Sequence, residues 1–261
     1  MSHDHGDVPP HPAVLTPEQA GLTRRSVLRR VGGAGLGVAS LGGLSSFTGC
    51  AAGADGAGER AYAASCTLTP ELTEGPFFLD LRKVRANITE GRPGLRLDLR
   101  IRVVDAATCR PIENVAVDLW HADALGKYSG IASEGTTGKT YLRGIQLTDA
   151  SGLARLRTIY PGWYEGRATH IHVSAYVGGR AGSTYSGGTT AHTGQLFFDD
   201  ATTDRVARLA PYSRRRVPRQ RNRADGIYRQ AGSGQVLALE RRGRSVTNGF
   251  TGTITMGIDV S

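Results

Sequence analysis

Between Leu95 and Val103 apolar and polar residues alternate without a break, Leu95, Leu97, Leu99, Ile101 and Val103 against Arg96, Asp98, Arg100 and Arg102. A two-residue period is that of a β-strand with one buried and one wet face. Val115, Val117 and Leu119 repeat the pattern into Trp120, and the composition predicts further strands at Ala154 to Ile159, Thr169 to Val177, Gln195 to Phe198, Val236 to Leu239 and Phe250 to Ile258. Gly-rich turns separate them. The spacing argues a mainly β chain, a β-sandwich of mixed-topology sheets with long loops and little helix. The one helix expected is short, around Thr203 to Leu209.

With 261 residues, 39% hydrophobic and no internal repeat, the chain holds one core of reasonable size after any leader is removed. A formal net charge of +9 biases its surface toward anionic partners without naming one. Arg214 to Arg244 holds ten arginines against Asp225 and Glu240. Without a run of interleaved aromatics this is a poor nucleic-acid platform, so no nucleic-acid partner is expected. A solvated basic face is the reading preferred over contact with anionic lipid or envelope polymers.

The first 64 residues read as an address and a tether. Met1 to Leu22 is polar, and its His3, His5 and His11 lie outside any periodic segment. Thr23 to Arg29, T-R-R-S-V-L-R, matches a twin-arginine export signal, and the apolar stretch Val31 to Phe47 is diluted by six glycines. It is too short and weak for a stable membrane span. Phe47-Thr48-Gly49-Cys50 places a small residue before Cys, as in a lipobox, which makes Cys50 the candidate lipidation site and a lipid anchor the chain's one route to a membrane. A plain cut after Ala61-Tyr62-Ala63 is the competing reading and gives a secreted protein. Residues 1–50 are thus the signal, 51–64 an Ala/Gly tether, and 65–261 the folded domain. Three cysteines leave one over. In an oxidising exterior Cys66 and Cys109 can pair, which adds roughly 2 to 4 kcal/mol, and Cys50 stays free for lipid. The alternative is that both are unpaired small core residues.

The chemistry concentrates between Ile159 and Val173. His170 and His172 share one face of a predicted strand, and Ile171, Val173, Ala175 and Val177 take the other. Two imidazoles side by side are half of a coordination sphere for iron, copper, zinc or nickel. Tyr164 lies six residues upstream of His170 across a Pro161-Gly162 turn, and Tyr128 ends the run W-H-A-D-A-L-G-K-Y. With a pKa near 10, phenol becomes the resting phenolate at neutral pH only beside a strongly charged ion such as Fe(III). Otherwise each Tyr is an ordinary half-buried aromatic, and a zinc or copper site could use the two His alone. His121 is read as structural. His192 falls in Gly178 to Gly194, a Gly, Ser and Thr stretch read as a solvated surface loop.

P-G-W-Y followed by R-A-T-H-I-H, with W-H-A-D-A-L-G-K-Y and E-G-P-F-F upstream and G-Q-L-F-F downstream, resembles the intradiol ring-cleavage dioxygenases of the catechol and protocatechuate type. The similarity runs from about Leu72 to Phe198. It implies a non-haem Fe(III) held by Tyr128, Tyr164, His170 and His172, and a catechol-type aromatic opened by O2 to a cis,cis-muconate. It further implies that Tyr164 is the phenolate that leaves and takes a substrate proton, that Arg167 stabilises charge developing on the ring, and that Gln195 orients it. No long amphipathic repeat precedes the first strand, so the helical dimerisation domain of cytoplasmic members is missing. The chain looks like the exported branch, and whether it forms a homodimer is left open. A second reading is an exported β-sandwich binding module that retains the motif without ring cleavage.

Overall fold

The computed structural model describes residues 67–260. The expected export signal and tether, the candidate lipidation site Cys50, and Cys66 lie outside them. Eight strands run in order: β1 Arg96–Asp105, β2 Ala116–Trp120, β3 Arg143–Leu147, β4 Leu153–Ile159, β5 His170–Ala181, β6 Tyr185–Phe197, β7 Ala238–Arg241 and β8 Phe250–Ile258. They form two four-stranded sheets, ordered β4-β1-β8-β7 and β3-β2-β5-β6. In the first sheet β1 and β8 are parallel and the other pairs antiparallel, so its topology is mixed; the second is antiparallel throughout.

The alternation read from the sequence is what packs the sandwich. Leu97, Leu99, Ile101 and Val103 of β1 meet Val117, Leu119, Ile171, Val173, Ala175 and Leu196 of the second sheet in one core, while Arg96 and Arg100 stay exposed. The second sheet is buried on its other face as well. All five residues of β2 and the first seven of β5 are buried; on that outer face Phe77 and Phe78 pack with Trp120, Tyr128 and Tyr164, and Val84 packs with Ala116, Ile145 and Tyr176. The histidines of the H-x-H pair therefore project away from the sandwich core, into a chamber between sheet and loops.

Three expectations change. Gly178 to Gly194 is no loop, since β5 and β6 continue through it as a hairpin in register from Val177↔Thr189 to Ala181↔Tyr185. Glycine tolerates this pairing, and Tyr185 locks it. The phenol turns back over the strand and accepts from Gly179 N–H at 2.9 Å, where a Cβ on Gly179 would meet its ring at 2.3 Å. His192 is accordingly buried, not solvated, and bonds Glu71 Oε1 at 2.8 Å. A second helix is also present: α1, Asp200–Ala207, corresponds to the predicted one and is capped by Asp199, but α2, Gly226–Ala231, was not expected and is capped by Asp225. Lastly, the Arg-rich segment is only partly a wet face. Arg219, with 8% of its side chain exposed, pairs with Asp200 and Asp204 at 2.5 Å each, and Arg215 Nε donates to Trp163 O at 3.1 Å.

Cys109 is disulfide-bonded; the expected partner, Cys66, lies outside the described residues. Among the described residues no helix is long and apolar enough to cross a membrane.

Candidate active site

His170 and His172 stand at the start of β5, opposite Phe197 and Gln195 of β6, and His172 lies beside Trp120 of β2. Tyr128 and Tyr164 arrive on two loops that are tied together. Gly162 N–H donates to Asp123 O at 3.0 Å, and a Cβ on Gly162 would meet Ala124 O at 2.5 Å and Asp123 O at 2.6 Å, so the turn needs glycine to approach this closely. Asp123 shapes the other loop by accepting from Leu125 N–H at 2.9 Å and Lys127 N–H at 3.0 Å. The result sets the Tyr128 and Tyr164 rings 5.7 Å apart, edge to face.

The polar atoms converge. His170 Nδ1–H donates to Ala168 O at 2.6 Å, since a carbonyl can only accept, and this leaves the His170 Nε2 lone pair facing inward. His172 Nε2 lies 3.1 Å from it and Tyr164 Oη 3.3 Å. Tyr128 Oη is buried beside Tyr164 without a hydrogen bond of good geometry. Trp120 stacks on the His172 ring at 5.0 Å and 8°, and Phe77 stacks on Tyr128 at 4.4 Å. Gly75, with a φ of +72°, lets the leading segment close over His172.

Burial drives every donor toward its neutral form. It brings His170 down to about 3, holds His172 well below the usual imidazole range, and pushes Tyr128 well above and Tyr164 above that of phenol. Four uncharged donors with lone pairs crowded together have one evident complement, a cation. Among the described residues no group of three or more His, Cys, Asp or Glu is placed to hold a metal ion, so the protein donors next to His170 and His172 are the two phenols. The spacing fits: ligand atoms about 2.1 Å from one ion stand about 3 to 3.5 Å from each other, and His170 Nε2 lies 3.1 Å from His172 Nε2 and 3.3 Å from Tyr164 Oη.

Beside the donors, Arg167 Nη1 donates to Tyr164 Oη at 3.3 Å and Nη2 to Gln195 Oε1 at 2.5 Å, and Gln195 Nε2 donates to Thr73 O at 2.9 Å. The structure thus brings all six candidate ligand and catalytic residues into one cluster. His121 is elsewhere, satisfied by Ala122 O at 2.8 Å and Thr158 Oγ1 at 2.6 Å, which agrees with a structural role.

Comparison with known proteins bears on the same residues. The sequence model of a family described as Dioxygenase matches residues 73–180. An intradiol ring-cleavage dioxygenase from Tetranychus urticae is 31% identical, with 74% of this chain and 95% of that one covered and a TM-score of 0.66. The chain belongs to the intradiol ring-cleavage dioxygenase family. A dioxygenase domain from Streptomyces sp. SirexAA-E, fused there to a carbohydrate-binding protein, is 28% identical over 74% of this chain and 99% of that one, with a TM-score of 0.54. Hydroxyquinol 1,2-dioxygenase from Pseudomonas putida DLL-E4 shares the fold at 16% identity, a TM-score of 0.53, and coverage of 78% and 70%. No curated protein sequence matches the chain.

Sequence reasoning missed Asp225. Its Oδ2 accepts from Arg167 Nε–H at 2.9 Å and from Ala168 N–H at 2.8 Å. The available signal was a cap-forming Asp before Gly226, obscured by the surrounding arginines. The stacking partners Trp120 and Phe77 lay inside motifs already noted, but neither had been given a role.

Proposed function

We propose that the protein is a non-haem Fe(III) dioxygenase that opens the ring of a catechol-type aromatic with O2 to a cis,cis-muconate-type product. The observation that carries this reading is the convergence of two imidazole and two phenol donors beside an arginine, within a family of ring-cleavage enzymes. When bound, Fe(III) would supply the Lewis acidity that ionises phenols and catechol alike and the electronic coupling through which a catecholate reacts with O2. Tyr128, Tyr164, His170 and His172 would hold it.

The remaining work falls to the chain itself. Tyr164 is half-buried while Tyr128 is fully buried, so Tyr164 is the residue with room to swing aside and, as the phenolate that a bound metal would supply, to accept a substrate proton at Oη and become the neutral phenol. Arg167 keeps a donor on that oxygen as it moves and offers positive charge to the substrate ring. Gln195, anchored to Thr73 O, orients the guanidinium. Phe77 and Trp120 exclude water from one side and fix the rings of Tyr128 and His172. Export by the twin-arginine route, with lipid at Cys50 or as a secreted form, belongs to the same proposal and suits a cofactor loaded before transport.

The test is the visible spectrum of the purified protein, titrated with catechol in the absence of oxygen. A phenolate-to-Fe(III) band that moves to longer wavelength, followed by muconate on admitting oxygen, is expected. A colourless protein with full metal occupancy would refute phenolate ligation and leave a zinc, copper or binding-module site.

A further inference from the structure

The arginine that enters the site is held from behind by a single carboxylate. Asp225, 1% exposed, accepts four N–H groups and has nothing to donate to. Oδ2 takes Arg167 Nε–H and the Ala168 N–H, while Oδ1 takes Ile227 N–H at 2.8 Å and Tyr228 N–H at 3.3 Å. The Ala168 peptide is thereby pinned on both sides, its N–H by Asp225 and its carbonyl by His170 Nδ1 at 2.6 Å. One side chain from beyond β6 thus sets the direction of Arg167 and the seat of His170. Arg219, bound to Asp200 and Asp204, helps hold the covering segment in place.

We propose that Asp225 is a positioning residue for ring cleavage, acting through Arg167. It fixes the guanidinium so that Nη1 and Nη2 reach Tyr164 Oη and Gln195 Oε1 together. The inference rests on the site reading above. Its physical basis is that a guanidinium presents donors in a rigid fork, so fixing Nε and one edge fixes the other. An ionised carboxylate is acceptor-only, which suits two N–H donors on each oxygen. An Asn at 225 must turn an NH2 toward two N–H donors, either Arg167 Nε and Ala168 N or those of the helix start.

The experiment is a double-mutant cycle on the full-length, iron-loaded protein with Asp225→Asn, Arg167→Ala and the double variant. It reads iron content, the phenolate-to-Fe(III) band and the Kd for catechol without oxygen. Asp225→Asn is expected to keep iron and band and to weaken catechol binding by about tenfold or more, the scale of a charge-assisted hydrogen bond. In the Arg167→Ala background the same change should move Kd by less than about twofold. Equal effects in both backgrounds, or no effect in the native one, overturn the proposal. Should Asp225→Asn fail to fold, Arg167→Lys keeps the positive charge but loses the fork, and native catechol affinity in that variant overturns it equally. A missing band in the unmutated protein would instead refute the site reading itself, which separates the two failures.

Discussion

His121 is fully buried, and burial brings its pKa down to about 4. In the unfolded chain the value is about 6.5, so on acidification the unfolded state takes up the proton first. The contribution is therefore complete above about pH 6.5 and is lost as pH falls toward 4, amounting to about 2 kcal/mol by pH 5 and about 3 kcal/mol by pH 4. His170, His172 and His192 are displaced in the same direction. Asp118, pushed up to about 7 by burial, works against them, because there the folded state binds the proton first and gains stability as pH falls below 7. Comparison with one substituted variant cancels these shared contributions. His121→Gln keeps a donor for Ala122 O and an acceptor for Thr158 Oγ1 but cannot titrate. In denaturant unfolding of the metal-free protein, the native chain should lose about 2 kcal/mol more than the variant between pH 7 and pH 5. The variant should also keep full iron when loaded, since His121 is not among the converging donors. Losses that agree within about 0.5 kcal/mol, well below the expected 2 kcal/mol, would refute the account of His121 as a neutral structural histidine.

Tyr164→Phe keeps the ring packing against Phe77 and His170, both at 5.6 Å, and removes the hydroxyl. Turnover should fall by about 10² to 10⁴, as for loss of a proton acceptor, while iron is retained; full steady-state activity would exclude the role given to Tyr164. Gly162→Ala drives a Cβ against Ala124 O and Asp123 O, and should cost about 1 to 3 kcal/mol in denaturant unfolding and lower iron occupancy by parting the two tyrosine loops. An unchanged midpoint would mean that those loops separate freely.

Much of the site was readable in one dimension. The period of two placed His170 and His172 on one face, and the ordered motifs from Glu74 to Phe198 placed the tyrosines, Arg167 and Gln195 in a recognisable series. Local signals also failed where pairing overrode composition. The Gly and Thr content of 178–194 reads as loop because those residues bury little, yet a long hairpin ladder and the Tyr185 anchor outweigh that preference.

The alternation of side chains, the types of donor and the glycine at 162 belong to the sequence by itself, since each follows from chain stereochemistry within a few residues. Only the tertiary structure decided that the H-x-H face points away from the sandwich core, that the two tyrosine loops clasp at Gly162, and that Asp225 stands behind Arg167. The last two contacts join residues 39 and 58 positions apart. Burial, which sets the charge state of every donor, exists only once the chain has closed over them.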